Sequence, residues 1–102
     1  MDGLSVIWTR TAIRQRDYIF EYWNNRNQSN AYSQKLNMAI GERIELLKSQ
    51  PDLGKATNFG DTRVVYFWHY CLLYKIVEYQ LIITGFWDNR QDPQKFLAFL
   101  KS

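Results

Sequence analysis

The fold turns on residues 62–88, which read Thr62-Arg63-Val64-Val65-Tyr66-Phe67-Trp68-His69, then Tyr70-Cys71-Leu72-Leu73-Tyr74-Lys75-Ile76-Val77, and, after Glu78-Tyr79, Gln80-Leu81-Ile82-Ile83-Thr84-Gly85-Phe86-Trp87-Asp88. These short runs, rich in β-branched and aromatic residues and almost without spacers, predict strands joined by tight hairpins, hence an antiparallel meander. Side chains alternate across a strand. Val64, Tyr66 and Trp68 therefore oppose Arg63, Val65, Phe67 and His69. In the second run Tyr70, Leu72, Tyr74 and Ile76 oppose Cys71, Leu73, Lys75 and Val77; in the third, Ile82, Thr84 and Phe86 oppose Leu81, Ile83 and Trp87. Both faces are largely apolar, so one packs on other elements and the second is left for the C-terminal segment or a partner.

Upstream the period changes. Leu4–Trp8 reads as a short strand, with Thr9 as the cap of a helix through Ala12–Trp23 whose apolar line is Ala12, Ile19 and Trp23, with Ile13 and Phe20 beside it. Asn24–Asn30 is polar and rich in turn formers, with Ser29 the expected cap of the next helix. There Tyr32, Leu36, Ile40, Ile44 and Leu47 recur at helical spacing until Pro51, which has no amide to donate, stops it. Two amphipathic helices with so short a connection predict an antiparallel hairpin. Pro51–Asp61 reads as an irregular connector, and Pro93–Lys101 as a short closing helix with Asp92 as its cap and Pro93 at its first position. The expected architecture is α+β: an N-terminal strand, an antiparallel helical hairpin, a three-stranded antiparallel meander and a short C-terminal helix, in one domain spanning residues 1–102.

Composition narrows the function. Aromatic residues make up 17% and hydrophobic residues 46%, enough for a packed core without staples, and a net charge of +3 permits a polyanionic partner without requiring one. Cys71, the single cysteine, sits in an apolar run, fits a reducing compartment and reads as a packed small hydrophobe. With no signal-like or membrane-length apolar run, the expectation is a cytoplasmic, soluble protein. One histidine is too few for a metal site or a serine triad, and there is no glycine-rich phosphate loop, so neither metal nor cofactor is expected.

Several segments, taken in order, resemble the RelE/ParE superfamily of toxins from type II toxin–antitoxin pairs, the plasmid-stabilisation toxins. They are Trp8-Thr9-Arg10-Thr11-Ala12, Pro51-Asp52-Leu53-Gly54, Arg63, Tyr70-Cys71-Leu72-Leu73-Tyr74-Lys75-Ile76, and Trp87-Asp88-Asn89-Arg90-Gln91-Asp92-Pro93. The resemblance implies a growth-inhibiting toxin neutralised by a cognate antitoxin, as a homodimer or a toxin–antitoxin hetero-oligomer. One branch resembles poisons of DNA gyrase, which need no chemistry of their own. The other resembles ribosome-dependent mRNA endoribonucleases, which need a base, a cation for the phosphorane and an acid. An inactive binding module of the same fold is a further alternative.

The resemblance places Arg90 where nuclease members set an arginine against phosphate. Where they set a proton-transferring Tyr or His a few residues on, this chain has Phe96, and the second nuclease arginine aligns with Tyr66. Arg63 matches a more widespread superfamily position, and Lys55 is a loose counterpart of nuclease lysines. These departures favour the gyrase branch slightly. If the chain is a nuclease, the candidate catalytic residues are Arg90, Arg63 and His69; in either case Arg63, Arg90, Asp88, Asn89 and Lys95 are the candidate target contacts. Each has a plainer reading. Arg63 pairs with Asp88 or Asp61 to tie strand ends, His69 is a turn residue, Arg90 is clipped by the flanking Asp88 and Asp92, and Trp68, Trp87 and Phe86 pack in the core or under the antitoxin rather than stack on bases.

Overall fold

The computed structural model describes residues 3–90. In chain order the elements are β1 (Ser5–Trp8), α1 (Arg10–Asn27), α2 (Ala31–Ser49), β2 (Lys55–Ala56), β3 (Arg63–Phe67), β4 (Tyr70–Val77) and β5 (Gln80–Asp88). They build one mixed sheet in the order β1-β5-β4-β3-β2. The expected meander is its centre: β3, β4 and β5 pair antiparallel in sequence. The helical hairpin carries the chain from β1 across the sheet, so β1 joins β5 in parallel, with Val6 opposite Leu81 and Trp8 opposite Ile83.

The helices begin and end for local reasons. Thr9 caps α1 as expected, its hydroxyl accepting from the Ala12 amide at 3.1 Å. The helix does not stop at Trp23; it continues through the polar Asn24–Asn27 to Gln28, which takes a left-handed conformation and returns its N–H to the Asn24 carbonyl. The extra turn is held from outside, because the Ser33 hydroxyl donates to the Asn24 side chain at 2.5 Å. Asn30, not Ser29, occupies the cap position of α2, while the Ser29 hydroxyl accepts from the Ala31 amide. The connector after Pro51 is not wholly irregular: β2 forms there and pairs with Arg63 and Val64. The C-terminal helix expected over Pro93–Lys101 lies outside the described residues.

One face of the sheet and the apolar sides of both helices form the core. Leu36, Ile40, Ile44 and Leu47 of α2 and Ala12 and Ile19 of α1 meet Phe67, Tyr70, Leu72, Tyr74, Leu81, Ile83 and Phe86. Each such aliphatic or aromatic side chain contributes roughly 1.5–3 kcal/mol by leaving water. Val64, Cys71 and Leu73, with Trp87 beside them, form a second small cluster on the opposite face. Strict alternation fails in β5. A bulge sets Leu73 opposite Gly85 but Tyr74 opposite Ile83, so Thr84 is the extra residue and the phase reverses beyond it. Phe86 therefore joins Leu81 and Ile83 in the core rather than Ile82.

Candidate functional site

The sheet has two polar ends, and register separates the two arginines singled out in the sequence. Arg63 lies opposite Tyr74, whereas Phe67 lies opposite Tyr70 and Tyr70 opposite Asp88. Arg63 is thus four residues, roughly 13 Å at ~3.3 Å each, from the row that leads to Arg90. The two do not form a common site.

At the Arg63 end the side chains fasten a loop. The guanidinium donates to the carbonyls of Gly54 at 2.7 Å and Asp52 at 3.4 Å. Its carboxylate partner is Asp52, at 3.7 Å, and neither Asp88 nor Asp61; Asp52 is 93% exposed, so that pair adds little. The Tyr74 hydroxyl accepts from the Gly54 amide at 2.9 Å and donates to the Pro51 carbonyl at 2.7 Å. Burial pushes the Tyr74 phenol above its ordinary value, although the Gly54 amide and Arg63 pull the other way. Gly54 admits this approach because it has no side chain: a Cβ there would lie 2.6 Å from the Tyr74 oxygen.

The Arg90 end is built differently. The Asn89 amide donates to the His69 carbonyl at 2.7 Å, joining the end of β5 to the β3–β4 turn. Asp88, only 8% exposed, receives Arg90 three times: the backbone amide at 2.9 Å, Nε at 3.1 Å and Nη2 at 2.9 Å. Burial works against the Asp88 charge, but these bonds and the nearby His69 hold its carboxyl below the ordinary range. Hydrogen bonding to Asp88 raises the Arg90 guanidinium in turn. The same guanidinium stands 5.4 Å from the centre of the Trp23 ring. Behind it, the Tyr32 and Tyr70 hydroxyls bond each other at 2.9 Å, and burial, with that bond, drives the Tyr70 phenol well above its usual value.

A cavity of about 360 Å³ opens here, lined by Tyr18, Ile19, Tyr22, Trp23, Arg26, Asp88 and Arg90. The sequence reading did not select Tyr18, Tyr22, Trp23 or Arg26. The available signal was that Tyr18 and Tyr22 are large aromatics off the apolar line of α1, where the structure leaves them 62% and 48% exposed. Of the other candidates, His69 and Asn89 are exposed and joined to each other through their backbones but do not line the cavity, and Tyr66 and Trp68 are exposed at 55% and 53%. Trp87 packs beside the second cluster and Phe86 is fully buried in the core. Lys95 and Phe96 lie outside the described residues.

Chemically this end offers a cation already satisfied by a carboxylate, a protonated phenol and an aromatic wall. Burial pushes the Cys71 thiol up to about 12 and the side chain is fully enclosed, so it is no nucleophile. Among the described residues no three His, Cys, Asp or Glu side chains converge as a metal site, and no helix is long and apolar enough to cross a membrane.

No curated protein matches the chain. Among solved structures, a chain of the chromosomal ParDE toxin–antitoxin system from P. aeruginosa superposes with a TM-score of 0.70 over 86% of this chain and 98% of that one, at 16% identity, which establishes a shared fold. The family model for the ParE toxin of the type II toxin–antitoxin system parDE matches residues 6–93. That match takes in both helices and, apart from Ser5 at the start of β1, all five described strands, and the chain accordingly belongs to the ParE toxin family of type II toxin–antitoxin systems.

Proposed function

We propose that the protein is the growth-inhibiting toxin of a type II toxin–antitoxin module, held inactive by a cognate antitoxin, and that it poisons DNA gyrase through contact rather than by cutting RNA. The observation that carries this reading is the state of Arg90. A ribonuclease of this superfamily needs a guanidinium free to meet a phosphorane, with a proton donor and acceptor nearby. Here two guanidinium nitrogens are engaged by a buried carboxylate at 2.9 and 3.1 Å, and burial holds the Tyr70 phenol in its protonated form. Phe96, where nuclease relatives place a proton-transferring side chain, supports the same reading. The arrangement suits a rigid contact surface, in which Asp88 fixes the direction of Arg90 and the guanidinium stands over the Trp23 ring.

The test is to add purified toxin to translating ribosomes on a defined messenger and map the 5′ ends. The expected result is no codon-positioned cut at any toxin concentration that arrests growth in cells, with growth restored when the antitoxin is co-expressed. Reproducible cuts within the ribosomal A site that vanish in Arg90→Ala would establish the endoribonuclease reading instead. Unimpaired growth at verified expression would mark an inactive binding module.

A further inference from the structure

The exposed face of α1 carries a pattern that runs through the wall of the Arg90 cavity and continues beyond it towards the start of the helix. Arg10, Arg14, Tyr18, Tyr22 and Arg26 follow one another at intervals of four residues, which places them along one ridge of the helix. All five are exposed. Arg10 and Arg14 have no carboxylate partner among the described residues, and Arg26 touches only the Tyr22 hydroxyl at 3.5 Å and the Trp23 ring at 5.7 Å. By contrast Arg16, off the ridge, is paired with Asp17. Arg10 and Arg14 on one side and Arg26 on the other flank two exposed tyrosines, and the Arg10–Arg14 pair, four residues apart with no acid between them on the ridge, is mutually repulsive.

The ridge borders a continuous groove. A second cavity of about 310 Å³, lined by Arg14, Gln15, Tyr18, Ile19, Phe86, Trp87 and Asp88, adjoins the one at Trp23 and Arg90, and the two share Tyr18, Ile19 and Asp88. Its far wall is the end of β5 beyond the reach of β1, where Gln15 accepts from the Phe86 amide at 2.9 Å. From Arg14 to Arg26 the groove follows about 18 Å of helix at ~1.5 Å per residue. Its one lining carboxylate, Asp88, is neutralised by Arg90; the exposed acids of α1 are Asp17, which pairs with Arg16, and Glu21, each next in sequence to a ridge tyrosine.

We infer that this groove binds a single-stranded polynucleotide, with Arg14 and Arg26 on phosphates and Tyr18 and Tyr22 stacked on bases. Guanidiniums recognise phosphate by two-point contact and every base has a face on which an aromatic ring can stack, so two tyrosines flanked by arginines along an open groove fit a flexible strand. An acidic peptide would satisfy the arginines but leave the tyrosines without a comparable stacking partner. The site stands on the chemistry of α1 and does not depend on whether gyrase or the ribosome is the target.

The experiment is fluorescence anisotropy of the full chain with labelled oligo-dT, oligo-U and a glutamate-rich peptide of matched length, over a range of salt. Both strands should bind, with log affinity falling linearly in log salt; the stronger of the two tells whether DNA or RNA is the natural source. In Arg14→Ala/Arg26→Ala affinity should fall at least about tenfold and the slope should drop by roughly 1.4, at ~0.7 per phosphate contact. Arg14→Lys/Arg26→Lys should retain the slope. Tyr18→Ala/Tyr22→Ala should weaken binding by about tenfold or more with the slope unchanged, as loss of stacking demands. All are exposed positions, and circular dichroism checks that the variants fold. Absence of strand binding by the folded wild type, binding that these variants leave unaltered, or tighter binding of the acidic peptide than of either strand overturns the inference.

Discussion

At one end of the sheet Arg63 donates to main-chain carbonyls at 2.7 and 3.4 Å and helps a buried tyrosine hold a loop; at the other, Arg90 grips a buried carboxylate and stands over the Trp23 ring beside an open groove. Sequence alone sees two arginines at the margins of one meander. The difference lies in what each guanidinium is bonded to and what lies beyond it. Beyond Arg63 is the chain's own Pro51–Gly54 loop; beyond Arg90 is an aromatic cavity. The first arrangement holds the fold together, and the second is available to a partner.

The sharpest way to break this contrast is at Gly54 and Tyr74. Gly54→Ala forces a Cβ to within 2.6 Å of a phenol on a fully buried ring and 3.0 Å of the Val64 carbonyl. Overpacking of that kind costs about 1–3 kcal/mol or more, and urea denaturation should show it as a lowered midpoint at constant slope. Tyr74→Phe strands the Gly54 amide and should cost about 1–3 kcal/mol. Toxicity in both variants should decline with stability.

Arg63→Ala comes next. The guanidinium is one-third exposed and its ion pair is weak, so the loss is chiefly of the two carbonyl bonds, about 1–2 kcal/mol. Arg63→Lys should recover little, because an ammonium cannot reproduce the fork. Toxicity should follow the melting temperature; abolished toxicity at unchanged stability would return Arg63 to the target-contact set.

Asp88→Asn should cost less, about 1 kcal/mol, because Arg90 is nearly half exposed and solvent screens the pair. The pH dependence has a definite sign. The folded Asp88 carboxyl lies below its unfolded value, so its contribution is complete above about pH 4–5 and is lost as pH falls through the folded value. The stability gap between wild type and Asp88→Asn should therefore close on acidification; a gap that widens would show that Arg90 does not hold the carboxylate.

Much of this was legible in the sequence, and the exceptions have physical causes. The α2 period survived as the buried Leu36, Ile40, Ile44 and Leu47, because burial on one side of a helix leaves a repeating trace. The meander was legible from alternation up to Gly85, where the bulge at Thr84 reversed the phase and moved Phe86 into the core. Pairing of β1 with β5 was not legible, since parallel neighbours distant in sequence leave no local mark. Two-residue β2 was too short to show a period. The Asp88 clip on Arg90 was readable from its spacing, whereas the acceptors of Arg63 are carbonyls, which every residue has. The cavity beside Arg90 escaped because its aromatic wall comes from α1, about seventy residues earlier, and only the helix-to-sheet packing brings them together.

Contact of the Arg90 end with gyrase is read out by plasmid supercoiling with purified gyrase under titration with wild-type toxin and with Arg90→Ala, each checked for folding. Arg90→Ala leaves the buried Asp88 carboxylate the backbone amide of residue 90 but neither guanidinium bond, and with Arg90 nearly half exposed the loss should be about 1 kcal/mol. Wild type should inhibit supercoiling or accumulate cleaved DNA complexes at stoichiometric concentrations, and Arg90→Ala should shift the titration at least about tenfold. Unaffected supercoiling at a toxin concentration that arrests growth would contradict contact with gyrase.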